Sequence, residues 1–318
     1  MRTAIITDSK TENHKRVETK KISTLFFCAR IFISVIKLKD ILAEAKLYSY
    51  SIKEVLDKFL QFDGKTMILF DTETVGLEPN TSYIQLTHIA AIAYEGSSLK
   101  EIGEFSKKVN ISSALNNALN DPNSTEAKQL DKEMNRRLKK YGKPDLHPRD
   151  ALKMTGYENP NAEKLDEKEA LIQFEKFLSQ FENVVILAHN ATFDMKFIEA
   201  RRKLNGLPPT KRYPVLDTVN ISRFFFIPAM QALETIPEVK TILDGLLAKT
   251  KYKSYSSSLG KLGAVLGVKV DGWHDAKEDV KMLMQVLQKM IEFLKANSTT
   301  DIKKYISPAA KRFRKSKF

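Results

Sequence analysis

The stretch that decides the fold is TMILFDTETVGL, residues Thr66 to Leu77. Its apolar run, Met67 to Phe70, predicts a buried strand that leads directly into an acidic pair. Side chains two positions apart in a strand share one face, so Asp71 and Glu73 should point the same way. Two unpaired carboxylates on a buried strand would cost several kcal/mol, so we expect a metal ion or another cation beside them. The alternative is an exposed acidic pair after the strand.

The sequence that follows predicts the rest of a mixed sheet. Short connections between the first strand and two further strands, at about 84–94 and 103–109, imply an antiparallel meander of three strands. The next predicted elements, in chain order, are a helix at 166–181, a strand at 184–188, a helix at 191–204 and a strand stub at 215–216. This alternation of strand and helix implies a right-handed parallel crossover. We therefore expect an α/β domain whose mixed sheet is flanked by helices.

A second acidic fragment, HNATFDMKFI, follows the strand at 184–188. Asn190 is the predicted N-cap of the next helix, which places Asp194 on the first helical turn. In α/β sheets, ligands usually bind at the carboxyl ends of the strands, and Asp194 follows such an end. Alternatively, Asp194 only interacts with the positive end of its own helix.

The third fragment is WHDAKEDV, residues 273–280. Asp275 with Glu278 matches a capping box, so the helix should begin at Ala276 and Asp275 should be structural. That leaves His274 just outside the helix and Asp279 one turn inside it. Histidine is the side chain best matched to the role of a general base near neutral pH.

Together these residues predict a two-metal hydrolytic site. Oxygen ligands suit two Mg²⁺ or Mn²⁺ ions, which activate water and stabilise the leaving oxygen of an in-line displacement. A general base such as His274 contributes about 10² to 10⁴ in rate. The chain has a single cysteine, so neither an intrachain disulfide nor a thiolate metal cluster is expected. This composition predicts the cytoplasm, or a host cytoplasm for a viral protein.

The composition is that of a soluble globular protein, with 42% hydrophobic and 29% charged residues among 318. A formal net charge of +13 around an acidic site favours a polyanion such as nucleic acid, although a solvated charged surface is the alternative. The apolar patch at 23–38 is interrupted by Arg30 and is too short to span a membrane. We interpret it as a peripheral helix or strand or as an extension outside the core, and a membrane-targeting role as the minor alternative.

The chain divides into three predicted regions. Residues 1–63 are an N-terminal extension, with helical apolar spacing from 38 to 62. Residues 64–297 form the core domain, and 298–318 are a basic C-terminal tail. Two insertions interrupt the core, a basic one at about 112–150 and an irregular one at about 224–257. The second starts with Phe224 to Phe226, which either stack on bases or fill the core.

Three fragments, FDTETVGL, HNATFD and HDAKED, resemble the motifs of the DEDDh, or DnaQ-like, family of 3'-to-5' exonucleases. The resemblance runs from about Lys65 to Leu294 and implies a ribonuclease H-like fold. It also implies that His274 is the base in a reaction that releases nucleoside 5'-monophosphates. The metal ligands that it implies are Asp71, Glu73, Asp194 and Asp279.

The same resemblance implies further site residues, of which Thr74 and Leu77 would line the pocket for the terminal nucleotide. In the second motif, His189 and Asn190 would contact substrate, His189 as a hydrogen-bonding residue and not as a metal ligand. Asp217 matches a family aspartate with a structural or outer-shell role. Two positions depart from the family pattern: valine 75 stands where threonine is common, and histidine 88 where relatives often carry an acid.

These observations predict a 3'-to-5' exonuclease that acts on single-stranded ends, DNA ahead of RNA. An exoribonuclease that trims 3' ends is one alternative, since no residue pattern here reads a 2'-hydroxyl. A catalytically silent nucleic-acid-binding module is another, and it predicts a broken ligand set. The expected partners are single-stranded 3' ends and a replication protein or polymerase, with no membrane.

Overall fold

The computed structural model describes residues 51–79, 83–142, 146–155, 157, 163–237, 256–269 and 274–300, with isolated positions at 240, 241, 244, 245 and 248. The apolar patch at 23–38 and the basic tail beyond residue 300 lie outside these ranges. The proposed domain boundaries therefore stay predictions. Among the described residues, no helix is both long and apolar enough to cross a membrane.

A mixed sheet of six strands organises the described residues. The strands are β1 (Thr66–Thr74), β2 (Leu86–Glu95), β3 (Glu101–Val109), β4 (Lys164–Leu165), β5 (Val184–Ala188) and β6 (Val215–Asp217). Their spatial order is β4-β3-β2-β1-β5-β6. The pairs β1–β2 and β2–β3 are antiparallel, whereas β1–β5, β5–β6 and β3–β4 are parallel. The predicted ribonuclease H-like arrangement, a three-strand meander joined to parallel strands, is confirmed.

Helices flank this sheet. They are α1 (Ile52–Phe59), α2 (Ser113–Asn120), α3 (Thr125–Tyr141), α4 (Pro148–Met154), α5 (Glu167–Leu178), α6 (Ala191–Leu204), α7 (Thr218–Ile221), α8 (Ile227–Leu233), α9 (Leu259–Val265) and α10 (Ala276–Ala296), with a π-helix at Ser222–Phe226. Helix α1 is the described part of the helical pattern at 38–62. It begins with a capping box between Ser51 and Glu54, and it contacts α10.

The alternation of side chains along β1 separates the core from the acidic face. Ile68 and Phe70 are fully buried in a cluster with Phe174 of α5 and Phe197 of α6. The odd-numbered positions point to the opposite face, where α10 contacts β1 and β2. β1 is paired on both sides from Thr66 to Leu69, and from there to Asp71 and beyond it is held by β2 alone.

The basic insertion is helical, although the sequence analysis assigned no elements to it. Helices α2 and α3 begin at Ser112 and Ser124, whose hydroxyls accept hydrogen bonds from backbone N–H groups in the first helical turn. Helix α3 ends at Gly142, which has the left-handed backbone that favours glycine. A small apolar cluster holds the insertion; its buried members are Val75, Tyr83, Leu115, Ala118, Leu130, Leu152 and Tyr157. Ala127, Leu130 and Met134 do recur at helical spacing in α3, a signal that the sequence analysis did not use in this strongly charged segment.

The expectation of an irregular segment from 224 onwards is wrong for its first part. The described backbone there is the π-helix Ser222–Phe226, continued by α8. Phe224, Phe225 and Phe226 are all buried, and Phe226 meets Phe293 of α10 edge to face at 5.1 Å between ring centroids. The wider turn of a π-helix is the local distortion that accompanies the burial of three consecutive rings. The phenylalanines therefore fill the core and do not offer a stacking surface to bases.

A buried ion pair joins α5 and α6 to the loop before β2. Arg201 donates to both carboxylate oxygens of Glu167, at 2.8 and 2.7 Å, and to the carbonyl of Ile84 at 3.0 Å. Glu167 also accepts from the backbone N–H of Leu86 at 3.3 Å. Because β2 follows this loop, the pair fixes where the second strand starts. A buried pair with this many hydrogen bonds is costly to break from one side.

We predict that Arg201→Met lowers the free energy of unfolding by about 3–5 kcal/mol, because it leaves the buried Glu167 charge without its partner. Urea unfolding followed by circular dichroism measures the loss. Lys203→Met, at an exposed position of the same helix, is the matched control and should change little. Changing both partners, in Arg201→Met with Glu167→Met, should recover part of the loss. A full-sized loss in the control, or none in Arg201→Met, contradicts the role given to this pair.

Candidate metal-binding active site

Three carboxylates meet where β1 leaves the core. Ligand oxygens of Asp71, Glu73 and Asp279 all lie within 4.8 Å of one another. Asp71 and Glu73 share the β1 face that α10 covers, and Asp279 projects from the first turn of α10. The structure thus brings together three of the four predicted metal ligands.

The start of α10 lies where the sequence predicts it, but only half of the expected capping box is formed, since the Glu278 carboxylate accepts from Lys281 at 2.8 Å. Asp275 is its N-cap, and its side chain accepts hydrogen bonds from the N–H groups of Lys277 and Glu278 at 3.0 and 3.4 Å. His274 lies just before the helix with a positive φ of 73°. Its backbone N–H donates to the Asp279 carboxylate. This turn therefore ties the predicted base to the predicted ligand that follows it by five residues.

The fourth predicted ligand, Asp194, reaches the site from the opposite side of β1. It lies in the first turn of α6 with 2% of its surface exposed. Its Oδ1 accepts from the backbone N–H of Thr72 at 3.1 Å and from the Thr72 hydroxyl at 2.7 Å. Thr72 stands between the two acidic residues of β1, and its side chain points towards α6 while theirs point towards α10. The sequence analysis missed Thr72, because a threonine in a strand carries no local signal of a partner 122 residues away.

The turn from β5 into α6 is built differently from the prediction. Asn190 occupies the N-cap position, but its backbone is left-handed, with φ 78°, and its side chain makes no capping hydrogen bond. Its N–H donates to Asp217 Oδ1 at 3.0 Å, and the same oxygen accepts from the N–H of Val219 at 2.9 Å. Asp217 therefore fastens the ends of β5 and β6 together, which fits the structural role expected of it.

The other predicted substrate residues lie at the rim of the site. The Thr74 hydroxyl donates to the Gly76 carbonyl at 2.8 Å and stabilises the turn that follows β1, where Leu77 is 53% exposed. The ring nitrogens of His189 lie 2.9 Å from Thr218 Oγ1 and 2.6 Å from the Ser257 carbonyl. Both nitrogens of His189 are thus occupied by contacts within the protein.

Burial and mutual repulsion raise the pKa values of the clustered acids. Burial raises the pKa of Glu73 to about 8, and the Asp279 and Asp275 charges add to the effect. Burial followed by the Asp194 charge raises the pKa of Asp71 well above its usual range. Burial also raises the pKa of Asp194 to about 7, against the opposing hydrogen bonds from Thr72, and that of Asp279 to about 6. The cluster therefore holds protons near neutral pH unless a cation replaces them.

The cluster fits a hard divalent cation. Asp279 Oδ1 is buried and accepts no hydrogen bond from the described residues. All donors in the cluster are carboxylate oxygens, which suit Mg²⁺ or Mn²⁺ better than softer metals. Lys108 lowers the pKa of Glu73, but this contribution is smaller than those of burial and the neighbouring acids. A bound cation would relieve both the repulsion and the unsatisfied oxygen.

Burial also keeps the two histidines of this face neutral. It lowers the pKa of His274, so the imidazole can accept a proton at neutral pH. His88 pairs across the sheet with Glu73, and its Nε2 lies 2.9 Å from Ser106 Oγ. Burial lowers the pKa of His88 to about 4, although Asp275 Oδ2 is 4.0 Å from its Nδ1. This chain therefore has an uncharged side chain at position 88, beside the cluster.

Comparisons with known proteins agree with the motif-based interpretation. No protein-family model matches the chain. A DNA polymerase III of the PolC type from Clostridium perfringens is 28% identical over 127 residues, which is 40% of this chain and 7% of the polymerase. The chain thus spans only a small part of the curated relative that it matches. At this identity and coverage the similarity does not by itself assign the chain to a family.

Solved nuclease structures show weaker likeness. Cell-death related nuclease 4 aligns with a TM-score of 0.43 and 15% identity over 73% of this chain and 64% of that one. Escherichia coli exonuclease I in complex with a dT13 oligonucleotide aligns with a TM-score of 0.47 and 18% identity, over 72% and 41% of the two chains. At these values the strand order, and not the alignments, carries the fold assignment.

We predict that Thr72→Val weakens Mn²⁺ binding about 10- to 100-fold, because Asp194 loses the hydroxyl that orients its carboxylate. Isothermal titration calorimetry measures the affinity. Thr72→Ser keeps the hydroxyl and should bind Mn²⁺ like the unchanged protein. Equal affinity in Thr72→Val and Thr72→Ser, with both variants folded, would show that Thr72 does not position Asp194.

A second prediction concerns pH. Folded pKa values above those of the unfolded chain mean that the metal-free protein loses stability as pH rises from about 4 to about 8. Bound Mg²⁺ offsets this loss, so the increase in Tm on adding Mg²⁺ should be larger near pH 8 than near pH 5.5. Thermal unfolding at the two pH values checks it.

Asp279→Asn should reduce the difference between the Mg²⁺-induced increases in Tm at pH 8 and at pH 5.5, because it removes one of the repelling charges. Asp150→Asn, at an exposed position of α4, is the matched control and should leave the difference unchanged. An increase in Tm that is the same at both pH values, or larger at the lower one, contradicts the charge assignment.

Proposed function

We propose that this chain is a metal-dependent 3'-to-5' exonuclease that shortens single-stranded DNA and releases nucleoside 5'-monophosphates. One observation carries the proposal: three carboxylates converge within 4.8 Å, and a fourth is held beside them by Thr72. A fold that keeps so many acids together without a matching set of cations is arranged to bind metal ions.

The four carboxylates, Asp71, Glu73, Asp194 and Asp279, would hold two Mg²⁺ or Mn²⁺ ions. When bound, such ions activate a water molecule and stabilise the leaving oxygen of the displaced phosphodiester. His274 is neutral and lies just before the N-terminus of α10. Its imidazole ring would accept the proton of the attacking water. Its left-handed backbone and its N–H bond to Asp279 keep it next to the ligand set.

The rim residues would select the terminal nucleotide. Leu77, exposed at the turn after β1, offers an apolar surface for a base, while Thr74 holds that turn in shape. Asn190 would contact the nucleotide through its side chain, which makes no capping hydrogen bond to α6. His189 would act indirectly, since both its ring nitrogens already contact the protein. It holds the backbone at Ser257 close to the end of β5.

DNA is the proposed substrate because the curated relative is a DNA polymerase. By the same similarity we propose a replication protein or polymerase as the class of partner. An exoribonuclease remains the alternative enzyme, and RNA ends of the same sequence distinguish the two. A silent binding module is disfavoured, because the described ligand set is intact. The cytoplasmic location stays a prediction.

Incubation with Mg²⁺ and a 5'-labelled single strand should give a ladder of products that shorten from the 3' end. Asp279→Asn and Asp194→Ala should each lower the rate by about 10³ or more, since each removes a metal ligand. Asp275→Asn is the matched control: it lies in the same turn as Asp279, it can still cap α10, and it should keep most of the activity.

An unchanged strand after incubation with the unmodified protein contradicts the proposal, and so does full activity in Asp279→Asn. A faster reaction on RNA than on DNA would support the exoribonuclease alternative. High-performance liquid chromatography of the products separates nucleoside 5'-monophosphates from 3'-monophosphates. Only the former agree with attack of water on phosphorus and cleavage of the P–O3' bond, in which the 3'-oxygen of the shortened strand leaves.

A further inference from the structure

Helix α3, in the basic insertion, carries a stripe of lysines, which we define as Lys128, Lys132 and Lys139. All three side chains are exposed. No ion pair within the described residues involves any of them, in contrast to other basic residues of the same helix. Three exposed lysines alone indicate no more than a solvated face, so their arrangement and their position relative to the site decide what they can do.

The three lysines share one line along the helix. Successive residues of an α-helix are about 100° apart, so positions 128, 132 and 139 fall within about 40° of one another. From the first to the last, the line is about 16 Å long at about 1.5 Å per residue. The exposed acid between them, Asp131, lies about 60 to 100° around the helix from the stripe. The stripe is therefore a positive edge, interrupted once by the uncharged Asn135, which lies on the same line between Lys132 and Lys139.

The other sides of α3 are occupied by contacts within the protein. Ala127, Leu130 and Arg137 are buried against the body of the molecule. Arg136 and Lys140 pair with Glu78, at 3.2 and 2.8 Å. The stripe thus lies on the side of α3 that none of these contacts uses.

The pairing with Glu78 connects α3 to the candidate site. Glu78 follows Leu77 in the turn that leaves β1, five residues after the metal ligand Glu73. In the same turn, a Cβ added at Gly76 would lie 3.1 Å from Arg137 Nη1, so the buried arginine packs directly against this backbone. Helix α3 is therefore braced against the turn that carries the proposed nucleotide pocket, and the lysine stripe lies on another side of the same helix.

We propose that the lysine stripe of α3 binds the phosphate backbone of the strand whose 3' end occupies the carboxylate site. This inference rests on the proposed function and names the surface that holds the strand behind its reacting end. At about 3.4 Å per nucleotide of a stacked strand, the length of the stripe covers about five phosphates. Lysines are point charges that contact phosphates without reading bases, as a nuclease that degrades any sequence requires.

The test compares two variants with the same change in charge. The stripe variant carries Lys128→Gln, Lys132→Gln and Lys139→Gln. The control variant carries Lys168→Gln, Lys176→Gln and Lys203→Gln, three exposed lysines of α5 and α6. Fluorescence anisotropy with a labelled single strand of about 20 nucleotides measures binding, with a chelator present so that no strand is degraded. Circular dichroism melting shows whether both variants are folded.

The stripe variant should bind the strand at least tenfold more weakly than the control variant at low salt. Each lost phosphate contact on a single strand lowers the salt slope by about 0.7, so three contacts should lower it by about 2. The loss should be large for the long strand and small for a dinucleotide, whose single internal phosphate cannot contact all three lysines.

Equal affinity and equal salt slope in the two variants would overturn the inference. A loss that is the same for the dinucleotide and the long strand would also overturn it, because it would show an effect on the carboxylate site. The proposed function is tested separately, by hydrolysis of the dinucleotide with Mg²⁺ in the unmodified protein. If that reaction is absent while the stripe variant still loses binding, the exonuclease proposal fails and the binding surface stands.

Discussion

Repulsion among clustered carboxylates, two of them half-buried and the others buried, is the constraint on which the rest of this structure depends. Asp71, Glu73 and Asp279 lie within one metal's reach, and burial raises the pKa of each of them. Left to itself, such a cluster would push its elements apart. The fold resists this by pairing β1 on both sides up to Leu69 and by fixing the start of α10 with the Asp275 cap. The stability of the core therefore offsets the repulsion within a site that only cations can neutralise.

The alternation of side chains in β1 lets one strand serve both purposes. Ile68 and Phe70 anchor it in the core beneath α5 and α6, while Asp71 and Glu73 face α10. Thr72 breaks the simple division between core and site, because its side chain faces α6 and holds Asp194 there. Acids on opposite sides of the sheet are thereby brought to one end of one strand. A shift of the register by one residue would exchange the two faces and destroy core and site together.

The parts of the fold that could be predicted from sequence are those that local rules determine. The apolar run before Asp71 and the N-cap at Asp275 each depend on neighbouring residues, and both are confirmed, although Glu278 does not complete the predicted capping box. Thr72 and the Glu167–Arg201 pair depend on contacts distant in sequence. Arg201 could have been noticed in the sequence, because it lies four residues after Phe197, on the apolar face of its predicted helix. The helices of the insertion were missed although Ala127, Leu130 and Met134 recur at helical spacing, because this period lies within a strongly charged segment and serves only a small cluster.

The central claim is that the carboxylate cluster exists to bind the ions that drive strand cleavage. The most direct test is X-ray diffraction at the manganese absorption edge from crystals soaked in Mn²⁺ and a nucleoside 5'-monophosphate. We expect anomalous density for manganese between Asp71, Glu73 and Asp279, with a second ion that also contacts Asp194 and the phosphate of the nucleotide. Crystals in which the four carboxylates show no anomalous density at saturating Mn²⁺ would contradict the account.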